Sequence, residues 1–399
     1  MSLSFGRDLV AIPGPSVIPD RVLSAMHRAS PNIYEGEIVD LTLSILADLA
    51  RLAETSGDAV MYICNGHGAW EAAIANTLAP GDTALVLATG RFGLGWAEMA
   101  QAMGVEVEVM DFGFREAADP ARLEKRLAAD KKHRIRAVLT VQTDTASSVT
   151  NDIPALRQAI DAANHPALFM VDAIACFGCE PMRMDDWGVD VMVAGCQKGL
   201  MTPPGLAFNF VGPRGYDRRR PTGSLYWDWQ RRIKPELYYQ RFCGTPPTHH
   251  LFGLREALDM IAEEGISNTL LRHRRQAMAI WAAVDAWAVG SAFALNILDP
   301  AARSAAVTTI RTGRGEAQRL RAWCETNAGL TLGLGLPASG KGGSDLFRIG
   351  HMGHMNPPML LGTLATIEAG LVALDIPHGA GALEAAARMI ANDPGNTED

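Results

Sequence analysis

The chain has 399 residues, of which 48% are hydrophobic and 20% are charged, and its formal net charge is −8. This apolar content excludes a largely disordered chain and, at this length, predicts two or three domains with a sizeable core. The negative charge argues against a nucleic-acid partner, because binding to phosphates requires a cationic surface.

Membrane and secreted proteins are disfavoured by the distribution of apolar residues and cysteines. No stretch approaches the roughly 18 consecutive apolar residues of a membrane-spanning helix, and the first residues lack the apolar segment of a signal peptide. We therefore expect no membrane partner and a cytoplasmic location, where the six cysteines are free thiols. Cys176 and Cys179 form one C-x-x-C pair. Since no second pair accompanies it, we predict close packing there and no metal site.

The N-terminal two thirds of the chain alternates between two kinds of pattern. Residues 1–20, with several prolines, predict an extended arm that leads into a helix over residues 21–26. Short apolar runs then predict strands over residues 59–64, 83–88, 106–110, 137–141, 167–171, 189–194 and 206–211. Amphipathic stretches between them predict helices over residues 69–78, 95–103, 120–129 and 153–163. The alternation predicts an α/β domain over residues 21–265, with a mostly parallel seven-stranded sheet covered by helices on both faces.

The pattern changes after Gly265. Long helical patterns now flank short apolar runs, which predicts a smaller α+β domain over residues 266–399. Its predicted helices cover residues 268–289, 315–328 and 357–373, and its predicted strands cover residues 305–310 and 347–350.

A glycine-rich turn lies between the first of the predicted central strands and the helix that follows it. Its residues are Asn65, Gly66, His67 and Gly68. Such a turn places backbone N–H groups at a helix N-terminus, where the helix dipole favours a phosphate. The same sequence is equally typical of a tight packing turn. The turn alone leaves both interpretations open.

Two polar residues follow later strands of the same sheet. Asp172 ends the apolar segment LFMVD, at the edge where open α/β sheets bind their ligands. Lys198 follows the next strand among small residues, and a rigid Pro-Pro-Gly turn comes after it. Burial lowers the pKa of a lysine toward the free amine, which is the form that makes a Schiff base. A phosphate-binding turn, an acid and an isolated lysine in this order match the requirements of pyridoxal phosphate.

These and further motifs resemble the class V aminotransferases, and within them the alanine-glyoxylate and serine-glyoxylate aminotransferase group. The resemblance extends from about Pro13 to Ala373. It depends on GHGAWEAA at 66–73, Asn76, PGD at 80–82, VD at 171–172, Asp185, GVD at 188–190, QK at 197–198 and PPG at 203–205. It implies a fold-type I transferase that uses pyridoxal phosphate.

The resemblance also implies a role for each candidate residue. Lys198 would bind the cofactor as a Schiff base and move a proton between the substrate Cα and the cofactor, while Asp172 would face the protonated pyridine nitrogen. The other implied cofactor contacts are Asn65, Gly66, His67 and Gln197 at the phosphate, Phe92 stacked on the ring, Thr145 near the ring oxygen, and Thr245 at the phosphate of a partner subunit. Phe92 is equally compatible with an ordinary core position.

The family forms homodimers with shared active sites, so a homodimer is implied as well. Phe242 stands where the family has a tyrosine, which removes one hydrogen bond to the phosphate. Arg348 matches the arginine that binds the substrate carboxylate through two parallel bonds, and Tyr34 is a further candidate substrate contact. His351 and His354 lack an evident third ligand, so we expect no metal there.

The sequence thus predicts a transaminase that moves an amino group from serine or alanine to glyoxylate or pyruvate by a ping-pong mechanism. One alternative changes the donor to ureidoglycine, aspartate or an aminophosphonate. Another is a desulfurase or β-lyase, for which Cys324 is the candidate thiol in the C-terminal domain. A third, a binding protein without activity, is disfavoured by the joint presence of Lys198, Asp172 and Arg348.

Overall fold

The computed structural model describes residues 3–337 and 343–391, which form two large β-sheets surrounded by helices. The strands in chain order are β1 (Leu9–Ala11), β2 (Asp58–Tyr62), β3 (Thr83–Ala88), β4 (Glu106–Asp111), β5 (Ile135–Val141), β6 (Thr143–Asp144), β7 (Val149–Thr150), β8 (Leu168–Asp172), β9 (Val191–Gly195), β10 (Ala207–Val211), β11 (Ala294–Leu295), β12 (Val307–Arg311), β13 (Leu330–Leu334) and β14 (Leu346–Gly350). The α-helices are α1 (Asp20–Met26), α2 (Glu37–Leu52), α3 (Gly66–Thr77), α4 (Arg91–Ala102), α5 (Pro120–Ala129), α6 (Ile153–Ala162), α7 (Pro213–Asp217), α8 (Trp229–Ile233), α9 (Thr248–Glu264), α10 (Ile266–Trp287), α11 (Glu316–Ala328), α12 (Pro357–Ala373) and α13 (Ala382–Ala391). Short 3₁₀ helices cover Tyr238–Phe242 and Pro300–Ala302.

The larger sheet has seven strands in the order β2-β10-β9-β8-β5-β3-β4. Strand β10 is antiparallel to both of its neighbours, and the other adjacent pairs are parallel. Every residue of β8, β9 and β10 is buried, as expected for strands covered on both faces. The predicted mostly parallel seven-stranded sheet is confirmed. Strands β5, β8 and β9 end at one edge, where Asp172 lies between Val141 and Val193.

The smaller sheet has the order β1-β13-β14-β12-β11 and packs against α10, α11 and α12. Its core includes Ala11, Ile280, Leu320 and Leu364. Strand β1 pairs in parallel with β13, so part of the expected N-terminal arm belongs to this sheet. Helices α9 and α10 meet at Gly265, whose φ of 82° lies in the region that favours glycine. The chain therefore turns where the sequence pattern changes, and the domain boundaries at residues 20 and 265 stay predictions.

Within the described ranges, no helix has the length and apolar character needed to cross a membrane. All six cysteines are free thiols, as the sequence predicted. Cys176 and Cys179 are both buried.

Candidate active site

A cavity of about 110 Å³ lies at the edge where β5, β8 and β9 end. Seven of the predicted site residues line it: Gly66, His67, Phe92, Thr145, Asp172, Gln197 and Lys198. They belong to the first turns of α3 and α4 and to the ends of the central strands or the segments that follow them. Open α/β sheets bind their ligands at this edge because the loops after parallel strands converge there.

The carboxylate of Asp172 is held by two donors. The side chain is only 3% exposed. It accepts hydrogen bonds from the backbone N–H of Ile174 at 2.6 Å and from the indole N–H of Trp70 at 2.9 Å. Burial raises the pKa of Asp172 to about 7, while these two donors oppose the rise by stabilising the ionised form. Trp70 was not among the predicted site residues, because the sequence shows it only as an apolar position on α3.

Lys198 lies next to this acid and is itself partly buried. Its ammonium donates to the carbonyl of Pro13. Burial lowers the pKa of Lys198 to about 8, and the charge of Arg348 acts in the same direction. A larger fraction of the amine is therefore unprotonated near neutral pH than in an exposed lysine.

The N-terminal segment fixes the loop that contains this lysine. The Ser16 hydroxyl donates to the carbonyl of Lys198 at 2.7 Å, and the Ser16 N–H donates to the carbonyl of Gln197 at 2.9 Å. Gly14 has a φ of 93°, and a Cβ at this position would collide with the lysine side chain. Close approach and backbone conformation both require glycine here.

The turn before α3 packs closely and also lies at the cavity. Asn65 caps the helix, because its side-chain oxygen accepts from the N–H groups of His67 at 3.1 Å and Gly68 at 3.4 Å. Gly66 allows close packing, since a Cβ there would lie 2.4 Å from Ile174 Cδ1. The turn also lines the cavity at a helix N-terminus, where an anion is stabilised.

The amide of Gln197 supplies an independent test of whether this cavity suits a polar ligand. Its Oε1 is buried and has no hydrogen-bond partner among the residues that the structure describes. An unpaired buried polar atom costs roughly 1–3 kcal/mol. Because a side-chain amide can turn by 180°, it can present its NH₂ group to a phosphate that enters the cavity. The residues present therefore fit pyridoxal phosphate: an anion-binding turn, an unpaired amide, an acid for the ring nitrogen and an amine.

A second buried acid, Asp144, holds two of the segments that line the cavity. It accepts from the N–H groups of Phe92 at 2.7 Å, Gly93 at 3.2 Å and Ala146 at 2.9 Å. These bonds hold the start of α4, where Phe92 lies, and the turn that contains Thr145. Burial raises the pKa of Asp144, and the same three donors oppose that rise.

Arg348, on β14, reaches this turn from the smaller sheet. Its Nη1 donates to the carbonyl of Thr145 at 2.8 Å, and its Nε donates to the carbonyl of Leu334 at 2.7 Å. Burial lowers the pKa of Arg348 to about 10. Its Nη2 makes no hydrogen bond to any residue in the described ranges, so this part of the guanidinium remains available to a carboxylate.

Four predicted residues do not line the cavity. Asn65 and Arg348 are bonded to residues that do, whereas Tyr34 is 73% exposed and Thr245 is also exposed. Phe242 is 1% exposed and packs edge-on against Tyr238, with 5.8 Å between the ring centroids. The residue that replaces the family tyrosine is thus part of the core.

A buried lysine and an acid that share one cavity at the edge of a mostly parallel seven-stranded sheet define a fold-type I enzyme that uses pyridoxal phosphate. Comparison with known proteins assigns the family. The model of the family "Aminotransferase class-V" matches residues 22–336. The chain belongs to this family and is a pyridoxal-phosphate-dependent aminotransferase.

Several characterised relatives are similar over nearly the whole chain. A serine–glyoxylate aminotransferase from Methylorubrum extorquens is 38% identical, and the alignment covers 92% of each chain. An L-aspartate–glyoxylate aminotransferase from Paracoccus denitrificans is 34% identical over 95% of each chain. Among solved structures, the ureidoglycine–glyoxylate aminotransferase from Bacillus subtilis matches with a TM-score of 0.86 and 25% identity, covering 98% of this chain and 100% of the other.

Proposed function

We propose that the protein transfers the amino group of a small amino acid, with serine as the preferred donor, to glyoxylate. The observation that supports this most directly is the position of Arg348, whose partly unpaired guanidinium lies close enough to Lys198 to lower the pKa of the amine. An amino acid held by its carboxylate on one side can then present its Cα to the amine on the other. The similarity to the serine–glyoxylate aminotransferase supports the choice of donor and acceptor. Alanine as donor and pyruvate as acceptor belong to the same proposal.

Each side chain has a distinct part in the proposed reaction. Bound pyridoxal phosphate supplies an electron sink when the Cα–H bond breaks. Lys198 would hold the cofactor through its amine until the amino group of the donor displaces it. The freed amine would then take the proton from Cα as a general base and return it as a general acid. Asp172 stabilises the protonated ring nitrogen, and Arg348 orients the substrate carboxylate through parallel hydrogen bonds.

The remaining proposed contacts hold the cofactor in place. Asn65, Gly66, His67 and Gln197 bind the phosphate, Phe92 packs on the ring, and Thr145 lies near the ring oxygen. Because both half-reactions use the same residues, the first product leaves before the second substrate binds, which gives ping-pong kinetics.

Aspartate is the second candidate donor, because the relative from Paracoccus denitrificans is an L-aspartate–glyoxylate aminotransferase. Ureidoglycine is a further alternative, supported by the structural similarity to the enzyme from Bacillus subtilis. For an aminophosphonate donor we found no supporting contact. A desulfurase or β-lyase is disfavoured, since Cys324 is buried on α11 and burial raises the pKa of its thiol to about 12.

We also propose a homodimer whose subunits complete each other's sites through Tyr34 and Thr245. Exposed apolar side chains support it: Ile63 is 40% exposed, Leu225 62% and Leu237 54%. Ile63 lies two residues before Asn65, at the start of the turn that lines the cavity, so a subunit that covers Ile63 would also shield the site. The cytoplasmic location stays a prediction, and the six free thiols agree with a reducing compartment.

A donor panel tests the proposed reaction. The purified holoenzyme is mixed with serine, alanine or aspartate in a single turnover, and the absorbance of the bound cofactor is followed. We expect serine to bleach the cofactor band fastest and glyoxylate to restore it, with parallel double-reciprocal lines at steady state. Inertness toward every donor, or converging lines, would contradict the proposal. The Lys198→Ala variant is the control, because it shows how much the cofactor band bleaches when the catalytic amine is absent.

The hydrogen bond from Trp70 leads to a prediction about pH. Trp70→Phe removes a donor that favours the ionised Asp172, so the pKa of this carboxyl rises above its value of about 7. A hydrogen bond to a charged group contributes about 1.5–3 kcal/mol, which corresponds to a shift on the order of one pH unit. The ionised acid pairs with the ring N–H of the cofactor. As the solution is acidified, we therefore expect the Trp70→Phe apoenzyme to lose its affinity for pyridoxal phosphate at a higher pH than the native apoenzyme does.

The measurement is the affinity of the apoenzyme for pyridoxal phosphate as a function of pH. Trp96→Phe is the matched control, because Trp96 is fully buried and its Nε1 has no hydrogen-bond partner in the described part of the chain. The role of Trp70 is refuted if the pH at which affinity is lost on acidification shifts equally in both variants, or shifts in neither.

A further inference from the structure

A buried carboxylate near the cavity links the two-stranded β6–β7 hairpin to the segment that precedes β12. Glu180 follows β8 in the chain and is 6% exposed. Its Oε2 accepts from the hydroxyls of Thr143 at 2.9 Å and Thr150 at 3.2 Å. Its Oε1 accepts from the hydroxyl of Ser304 at 2.6 Å and from the N–H of Ala305 at 2.8 Å. Thr143 and Thr150 follow β5 of the larger sheet in the chain. Ser304 and Ala305 precede β12 of the smaller sheet.

The arrangement has an energetic consequence. Removing a carboxylate from water costs free energy unless hydrogen bonds replace those of the solvent. Four donors do so here, and no cationic side chain in the described ranges forms an ion pair with Glu180. Because two donors come from the β6–β7 hairpin and two from the segment before β12, the carboxylate holds these two segments together.

Both segments held by Glu180 lead to Arg348. On the smaller sheet, Ser304 directly precedes the segment that becomes β12, which pairs with β14 so that Thr309 is opposite Arg348. In the β6–β7 hairpin, Thr143 lines the cavity and stands two residues before Thr145, whose carbonyl accepts from the Arg348 guanidinium at 2.8 Å. A shift between the segments therefore changes where the guanidinium lies.

We infer that Glu180 is a positioning residue that sets the separation between the Arg348 guanidinium and the Lys198 amine, and with it the fit of the substrate carboxylate. The inference rests on the proposed role of Arg348. Glu180 does not line the cavity, so it acts on substrate binding through Arg348 and leaves the chemistry of the lysine unchanged.

The test uses holoenzyme in which Glu180 is replaced by Ala or by Gln. We expect Glu180→Ala to raise KM for both the amino acid and the oxo acid about tenfold, with kcat changed by less than about threefold. Calorimetric titration with glycolate, an unreactive carboxylate, should show the same tenfold loss of affinity. Glu180→Gln should restore most of the affinity, because its carbonyl accepts from Ser304 and Ala305 while its NH₂ group donates to the threonine hydroxyls.

Asp130→Asn is the matched control. Asp130 is a buried acid, 8% exposed, that accepts from the N–H of Ile135 at 2.8 Å at the opposite edge of the larger sheet. We expect this variant to lower the melting temperature without changing KM or glycolate affinity. Equal KM values in Glu180→Ala and Asp130→Asn overturn the inference.

Two further variants cover the case in which Glu180→Ala does not fold and the case in which the proposed role of Arg348 is wrong. If Glu180→Ala does not fold, Ser304→Ala removes one of its two contacts on the smaller sheet and should raise KM about threefold, and an unchanged KM overturns the inference. Arg348→Lys separates this inference from the proposed function. Normal glycolate binding in Arg348→Lys refutes the role of Arg348 itself. Weakened binding in Arg348→Lys with normal binding in Glu180→Ala refutes only the positioning role.

Discussion

Lys198→Ala is expected to abolish covalent attachment of pyridoxal phosphate and to reduce turnover by roughly 10⁴-fold or more. Alanine removes both the amine that binds the cofactor and the base that moves the proton. Burial lowers the pKa of this amine to about 8. Attachment to the native enzyme should therefore strengthen as the pH rises toward that value, because the unprotonated amine is the reacting form.

Reduction with borohydride, digestion and mass spectrometry locate the attached cofactor. We expect the label on the peptide that contains Lys198 and on no other lysine. Lys234→Ala serves as the control, because this ammonium lies 5.4 Å from the centroid of the Tyr216 ring and does not line the cavity. A label on a different lysine, or turnover retained by Lys198→Ala, is incompatible with the proposed mechanism.

Arg348→Ala has the second largest expected effect, a fall in kcat/KM of roughly 10²- to 10³-fold for both half-reactions. The variant loses two charge-assisted hydrogen bonds to the substrate carboxylate, each contributing about 1.5–3 kcal/mol. Arg348→Lys should recover only part of this loss, because an ammonium retains the charge but cannot form two parallel bonds. The affinity for the cofactor should stay within about threefold of the native value, since Arg348 is proposed to contact the substrate and not the cofactor.

Initial rates at varied donor and acceptor concentrations provide the measurement. Arg321→Lys is the control, because Arg321 is close enough to lower the pKa of Arg348 but donates its own Nε to the carbonyl of Leu332 at 3.3 Å. A kcat/KM for Arg348→Ala within a few-fold of the native value would remove this arginine from the substrate site.

Local patterns were sufficient for several elements around both sheets. The observed bounds of β3, α5 and α12 agree with the predicted ones at both ends. These segments have a clear period of apolar residues and are bounded by proline or glycine, so neighbouring residues alone specify them. The helix α2 was missed although Ile38, Ile45 and Leu49 form its buried face. Its apolar period is visible in the sequence, but no helix was predicted over residues 37–52.

The short strands of the smaller sheet show the limit of local patterns. Strand β1 has three residues, and its pairing joins Leu9 to Leu330. Such a strand is stabilised by a partner distant in the chain, which no window of neighbouring residues contains. The expected arm and the expected C-terminal domain therefore share a sheet.

The sequence by itself determined which chemistry is present: a lysine among small residues after a strand, an acid at a strand end and a glycine turn before a helix. These features can be predicted from the order of strands along the chain, because consecutive parallel strands end at the same edge of a sheet. Only the tertiary structure decided which other groups form hydrogen bonds with the residues in and around the site. The bonds from Trp70 to Asp172, from Lys198 to Pro13 and from Ser304 to Glu180 span 102, 185 and 124 residues. The donors and acceptors meet because the sheets bring them together, and the periodicity of the sequence contains no information about such distant pairs.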